Sequence, residues 1–186
     1  MLETERLIIR EMCPDDVDDI YSIYEGNDLR YMEGLYEDRQ QEKEYIADYQ
    51  KYIYNFYDFG IWLFEEKSTG EIIGRGGVEY KKYENVVNTS APEKDDGEVS
   101  ENDSVCEPEE VIELGYIIRR DKQRQGFAYE GLKAILDFVP EHFGIKQVTV
   151  RVRRENVASV KLAEKLGFRF GVEEADGHVC GMMELM

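Results

Sequence analysis

The chain has little of what marks several large protein classes. Its 3 cysteines, Cys13, Cys106 and Cys180, are odd in number, far apart and without metal-ligand spacing. Neither a disulfide framework nor a zinc site is expected, and they read as free thiols of a reducing cytoplasm. The 2 histidines, His142 and His178, fall in no motif, and no metal is assigned. No apolar run approaches the roughly 18 residues of a membrane span. Met1-Leu2-Glu3-Thr4-Glu5 lacks the basic and apolar regions of a signal peptide. No Gly-x-Gly-x-x-Gly follows the first predicted strand and no phosphate-binding Lys-Ser/Thr pair occurs, which argues against a nucleotide-binding Rossmann-like domain. Bases are scarce as well: 23 Lys and Arg stand against 41 Asp and Glu, a net charge of −18. Such a surface repels nucleic acid and anionic membranes and favours a cationic partner such as an amine, although solubility alone also accounts for it.

What is present is enough for one domain with a real core. The 186 residues are 42% apolar, within the globular range. Half of the excess acid is local: Glu84 to Glu110 holds ten acids and one lysine, a contribution of −9. With few apolar residues, this stretch reads as a solvated, mobile insertion at about 84–110, tolerated because surface loops lengthen cheaply. Thr4 to Glu11 predicts a first strand with Leu7 and Ile9 on one face. Cys13-Pro14-Asp15-Asp16 reads as a helix start, with proline at the first position and acids at the positive end of the dipole. Val17, Ile20, Tyr21 and Tyr24 continue it as an apolar stripe. Asp38 to Tyr54 predicts a second helix, with Tyr45, Tyr49 and Tyr52 on one side. A helix packed on a sheet with its tyrosine hydroxyls at the rim explains that series, and the wall of an acceptor pocket is the alternative. Gly60 to Glu66 and Ile72 to Lys81 predict an antiparallel hairpin, in which Gly74, Gly76 and Gly77 mark a bulge or a close backbone approach. Gln147 to Arg153 alternates as a strand and Asn156 to Leu166 as a helix capped by Gly167. Phe168 to Phe170 and Val179 to Leu185 can pair as closing strands.

The stretch from Val111 to Val139 organises the rest. An apolar strand, Val111 to Ile118, crosses a charged turn, Arg119 to Gln125, and enters a helix whose apolar face is Leu132, Ile135, Leu136 and Val139. The first turn of a helix offers unpartnered N–H groups and a positive dipole end. Gly126 there lets a phosphate approach, with Arg119, Arg120, Lys122 and Arg124 adding charge. A glycine after a strand is more often a plain turn.

Three separated motifs resemble the GNAT superfamily of acetyl-CoA-dependent N-acetyltransferases. The turn Gln123-Arg124-Gln125-Gly126-Phe127-Ala128 matches that superfamily's Gln/Arg-x-x-Gly-x-Gly/Ala motif. Asn156-x-x-Ser159 with Glu164-Lys165-Leu166-Gly167-Phe168 matches its last helix. Glu3-Thr4-Glu5-Arg6-Leu7 with Ile9-Arg10 looks like the opening strand of the Rim-type branch, named for enzymes acetylating the N-termini of ribosomal proteins. The resemblance covers the chain apart from the acidic insertion. It implies an α/β (α+β) GNAT fold: a mixed, strongly bent central sheet flanked by helices on both faces, with acetyl-CoA in the opening between the two central strands. It implies that the backbone of Tyr116, Ile117 and Ile118 holds the pantetheine arm, that Gln123, Arg124, Gln125, Gly126, Phe127 and Ala128 surround the pyrophosphate, and that Asn156 and Ser159 meet the arm near the thioester. Glu113 is the candidate base for the attacking amine, acting through water; a strand carboxylate paired with a basic neighbour is the alternative. Many relatives carry a tyrosine seven residues after the asparagine to protonate the leaving thiolate. That position is Ala163 here, as is common in the Rim-type branch, and Ser159 is the nearest motif hydroxyl. The expected protein is therefore a cytoplasmic N-acetyltransferase acting on an amine-bearing small molecule or a protein N-terminus, without nucleic-acid or membrane partners and with oligomerisation open. An acetyl-CoA-binding sensor or interaction module without turnover is the alternative.

Overall fold

The computed structural model describes residues 1–32, 34–83, 109–174 and 176–185. Residues 84–108 lie outside that range, so almost all of the expected acidic insertion does too. Eight strands among the described residues form one sheet in the order β1-β2-β3-β4-β5-β6-β8-β7. They are β1 (Leu2–Glu3), β2 (Leu7–Arg10), β3 (Ile61–Glu66), β4 (Glu71–Tyr83), β5 (Glu109–Ile118), β6 (Gln147–Arg153), β7 (Arg169–Glu173) and β8 (His178–Glu184). The helices are α1 (Val17–Tyr24), α2 (Arg39–Tyr49), the short α3 (Asn55–Tyr57), α4 (Phe127–Phe143) and α5 (Val157–Leu166).

The predicted elements recur with instructive differences. The first strand begins at Leu7 rather than Thr4, because the Thr4 hydroxyl accepts the Leu7 N–H at 2.9 Å and folds the chain into a hairpin with β1. Leu7 and Ile9 face the core as expected. The second helix does not run unbroken to Tyr54. It widens into a π-type turn over Gln50–Tyr54, which sends Tyr52 outward while Tyr49 and Tyr54 stay buried. In α1 it is Ile23, with Val17 and Ile20, that completes the buried stripe. The β3–β4 hairpin carries its bulge opposite the Phe64/Glu65 step, where Gly74 pairs Phe64 and Ile72 pairs Glu65. Gly77 marks the close approach: a Cβ there would sit 1.9 Å from the Gly60 carbonyl oxygen. Strand β8 inserts between β6 and β7, pairing antiparallel with both.

Helices cover both faces. On one side, α1 and α2 reach β4 through Arg75 to the Tyr24 hydroxyl and through Tyr49 to Glu79. On the other, α4 lies so close that a Cβ on Gly131 would meet Phe64 of β3 at 2.7 Å, and one on Gly76 of β4 would meet Leu132 at 3.1 Å. Leu7, Ile9, Leu63, Phe64, Ile73, Leu132 and Ile135 lie at 0–1% exposure in this double-sided core. No helix of the described residues is long and apolar enough to cross a membrane.

The N-terminus is tied to α4 by Glu130. Its carboxylate accepts the Arg6 N–H at 2.8 Å, the Arg6 Nε–H at 2.6 Å and the Thr4 hydroxyl. Arg6 also stacks over the Phe127 ring at 4.3 Å and donates to the Gln125 carbonyl at 3.0 Å. Burial alone would raise the Glu130 carboxyl, but hydrogen bonds from Thr4 and Arg6 outweigh it and hold the pKa below the ordinary glutamate value of 4.5. A carboxyl depressed in the folded state stabilises it above the unfolded pKa and loses that effect as pH falls through the folded one. Glu130→Ala is expected to cost about 2–3 kcal/mol at neutral pH. The gap to the native chain should narrow in denaturant titrations below pH 4.5; a gap that stays constant there would remove the ionic contribution.

Candidate acyl-transfer site

Strands β5 and β6 are the one parallel pair among the described strands, and they pair in register at a single point, Glu113 with Thr149. Thr149 Oγ1 donates to the Ile112 carbonyl there at 3.2 Å. Beyond it Leu114 to Ile118 pair only with β4 on their other side, and β6 pairs with β8. The strands part, leaving one edge of β5 without a strand neighbour. Two clefts meet at this opening. Tyr31, Met32, Tyr116, Ile117, Asn156, Ser159 and Leu162 line both, so the opening runs through the sheet.

The first cleft, of about 520 Å³, lies on the α1–α2 side. Glu113 lines it directly across from Glu79 of β4. Two like charges opposite one another in a sheet repel, and each is held by a tyrosine: Tyr83 donates to Glu113 and Tyr49 donates to Glu79. Lys81 Nζ lies 3.6 Å from Glu79. Burial, followed by the neighbouring carboxylate, pushes the pKa of both Tyr49 and Tyr83 upward, so both phenols stay protonated as donors. Tyr49 also accepts the Ile61 N–H at 2.9 Å, and Tyr54 donates to the Ile61 carbonyl. The tyrosine series therefore packs α2 on the sheet, and Tyr45 and Tyr49 also line the first cleft. His178 lies at the rim, 3.0 Å from Asp176.

The second cleft, of about 1150 Å³, runs from the opening to the start of α4. Gly126 caps that helix with φ +87°, and Arg124 two residues earlier is left-handed at φ +61°, which is costly for a residue with a Cβ. Arg120, Lys122, Gln123, Arg124, Gly126, Phe127 and Ala128 line this end. Several have structural duties as well. Gln123 Nε2 donates to Asn27 Oδ1 at 2.6 Å and to the Ile118 carbonyl at 3.0 Å, locking the turn to the α1 end. Gln125 turns its side chain back to the Asp121 carbonyl. Arg119 is bound to Asp121 and Glu71, and Lys122 to Glu66 at 2.6 Å. Arg120 donates to the Gly26 carbonyl. At the other end, Asn156 caps α5 by accepting the Ser159 N–H at 3.2 Å, and the Ser159 hydroxyl lies 3.0 Å from that of Tyr116.

The sequence-predicted positions thus line the two clefts, except Gln125, whose side chain is turned back to Asp121, and Arg119, which is engaged by Glu71 and Asp121. Sequence reasoning passed over Glu79, Tyr83 and the Tyr116 side chain. Alternation along β4 puts Glu79 on the face of Arg75, and only the β4–β5 register could have set it opposite Glu113. Tyr83 borders the acidic stretch and carries no motif. No cluster of three or more His, Cys, Asp or Glu suited to a metal occurs among the described residues.

Comparison with known proteins agrees with this architecture. An acetyltransferase (GNAT) domain family matches residues 6–169. The uncharacterized Bacillus subtilis protein YkkB is 24% identical over 171 residues, spanning 91% of this chain and 85% of its own. A putative ribosomal-protein-serine acetyltransferase from Vibrio cholerae has a similar fold, with TM-score 0.67 and 16% identity over 98% of this chain and 95% of that one. A spermidine N-acetyltransferase chimera from Vibrio cholerae and hSSAT fits equally well, with TM-score 0.67 and 19% identity over 98% and 96% of the two chains.

Removing the Tyr49 hydroxyl strips the Ile61 N–H of its acceptor and Glu79 of its donor while leaving the ring in place. Tyr49→Phe should therefore lower the unfolding free energy by about 1–3 kcal/mol in denaturant titration. A variant as stable as the native chain would mean that the hydroxyl is not a strut.

Proposed function

We propose, from the premise that this chain belongs to the GNAT acetyltransferase family, a division of labour between the two clefts. The chain is an acetyl-CoA-dependent N-acetyltransferase that acts on an amine. In the proposed arrangement it works as one domain across 1–186. The second cleft takes acetyl-CoA and the first takes the acceptor, and they meet at the opening between β5 and β6. The parting of those strands after Glu113 is the observation that carries the reading. An extended chain of amides suits an unpaired strand edge, so the backbone of Tyr116 to Ile118 holds the pantetheine arm. A diphosphate suits the N-terminus of α4, where Gly126 keeps the backbone approachable: a Cβ there would already press on Arg6 Nη2 at 3.3 Å. The strained Arg124 beside it supports a functional turn. Asn156 and Ser159 face the thioester end.

The reaction needs a neutral amine, and Glu113 is the proposed base. It lies at the point where the strands part and is oriented by Tyr83. Acting through water, it takes the proton that the ammonium must lose before nitrogen attacks the acetyl carbon. The acceptor is proposed to be a protein N-terminus or a small amine. The opening sequence Glu3-Thr4-Glu5-Arg6-Leu7 favours the Rim-type branch, while the paired acids Glu79 and Glu113 suit any cationic amine.

The test is thiol release from acetyl-CoA against peptides with varied N-termini, polyamines, amino acids and aminoglycosides. Turnover on peptides beginning with Ser, Thr or Ala would support the Rim-type reading, and turnover on polyamines alone would replace it. Binding without turnover on any amine would leave a cofactor-binding module instead of an enzyme. Two variants test the site. Gly126→Glu puts a carboxylate in the phosphate position and should abolish acetyl-CoA binding by calorimetry; near-native affinity would remove the cradle. Glu113→Gln should keep that affinity and lower turnover, most at low pH, where more of the amine carries a proton. A pH–rate profile of unchanged shape would make Glu113 structural.

A further inference from the structure

The first cleft holds more than the carboxylates of Glu79 and Glu113. Where β4 and β5 pair, Glu79 meets Glu113, and Arg75 meets Ile117 four residues further along. On β6, Thr149 is the partner of Glu113, and Arg153 stands four residues beyond it. Residues four apart on a strand share a face. Arg75 and Arg153 therefore lie on the face of Glu113, roughly 13 Å along the strands from it. One stands on each side of the opening, and both line the first cleft but not the second. The cations around them are matched to acids. Arg30 is bound to Asp28 at 2.6 Å, Arg151 to Glu174 at 2.8 Å, and Lys81 lies 3.6 Å from Glu79. Arg75 and Arg153 form no ion pair among the described residues. Arg75 donates to the Tyr24 hydroxyl and lies over its ring, and Arg153 reaches the Asp176 carbonyl at 3.4 Å. Each guanidinium has five N–H donors. Both residues are half-buried, where a cation without a counter-ion is costly.

We propose that the acceptor is an amine that also carries a carboxylate, its ammonium end directed to Glu113 and Glu79 and its carboxylate held between Arg75 and Arg153. This rests on the assignment of the first cleft to the acceptor. A carboxylate is flat and accepts two parallel N–H bonds from a guanidinium. Lying over Ile117, it has a guanidinium on either side. The two rows of charge then orient the molecule, because reversing it sets carboxylate against carboxylate and ammonium against guanidinium. A diamine offers the arginine row nothing, and its second ammonium is repelled there. A zwitterion carries no net charge, so the −18 of the chain neither draws nor repels it. Neither arginine moves a proton; together they set which amine is presented to the thioester. The same chemistry comes from a free amino acid or from a peptide N-terminus closely followed by Asp or Glu.

The test sets each acid against its neutral amide in the thiol-release assay. The pairs are alanine and alaninamide, γ-aminobutyrate and γ-aminobutyramide, and the peptide amides Ala-Glu and Ala-Gln, with putrescine as the diamine. In the native chain at least one acid should exceed its amide roughly tenfold to a hundredfold in kcat/KM, and putrescine should be slower than that acid. Arg75→Gln and Arg153→Gln should each raise KM for the acid about tenfold with kcat within about twofold, since the lost contact is equal in ground and transition states. Both should leave the amide within about twofold of native. Arg153→Lys should recover part of the loss. Preference for a free acid supports an amino acid acceptor, and preference confined to Ala-Glu supports an acidic peptide. Acids no better than their amides, a preference for putrescine, or variants that slow acid and amide alike would each overturn the proposal. If Arg75→Gln did not fold, Arg153→Gln read in the same way would decide. Transfer to amides and diamines but not to acids would sink this inference and leave the N-acetyltransferase reading standing. Acetyl-CoA bound with no transfer to any amine would overturn both.

Discussion

Two parallel strands that meet at one residue pair and then part are the constraint on which the site depends. A sheet interior ordinarily leaves no room for a ligand, because each backbone group is bonded to a neighbour. Here β4 satisfies one edge of β5 along its length, while the other edge loses its partner after Glu113. Such an edge is a liability unless something covers it. In this chain it is flanked by α5 on one side and by the turn before α4 on the other, and it opens into clefts on both faces. Backbone amides, a helix N-terminus and a pair of carboxylates are brought together by that single divergence.

The second theme is tyrosine used as a strut. Tyr49 and Tyr54 converge on Ile61, Tyr83 holds Glu113, Tyr24 holds Arg75 and Tyr116 holds Ser159. The rings of Tyr24, Tyr49, Tyr54 and Tyr116 pack against the apolar core, that of Tyr83 lies under Arg151, and each hydroxyl reaches a polar group at the cleft wall, which suits a residue with an apolar body and a polar tip. The struts also resolve an electrostatic conflict. Glu79 and Glu113 lie opposite one another on adjacent strands and would repel, yet both remain lodged at the site, each accepting from a tyrosine hydroxyl. The overall excess of acid, −18, adds to the preference for a cationic acceptor without choosing one.

The likeness in fold to proteins named for a ribosomal-protein serine and for spermidine, at the same TM-score, shows why the acceptor cannot be inferred from architecture. The side proposed for the cofactor is built from β5, the turn and the starts of α4 and α5. The side proposed for the acceptor is built from α1, α2 and the outer half of β4, where side chains rather than backbone line the cleft.

The sequence by itself determined most elements and the local geometry of the turn and helix starts, because both depend on local chemistry. A glycine at a helix start, an asparagine three residues before a serine, and apolar residues at helical or alternating spacing impose their structure over a few residues, and Gly126, Asn156 and the face Leu132–Val139 stand as expected. The break in the second helix at Gln50 and the start of β2 at Leu7 were hidden, because they follow from contacts with Ile61 and within the N-terminal hairpin rather than from propensity. Tertiary structure alone decided the pairings across the sheet. That Glu79 faces Glu113, that Tyr83 donates to it, that Gln123 braces Asn27, and that Tyr116 meets Ser159 all require register between segments far apart in the chain. A one-residue slip in any strand would have turned those side chains to the other face, and no local pattern carries that information.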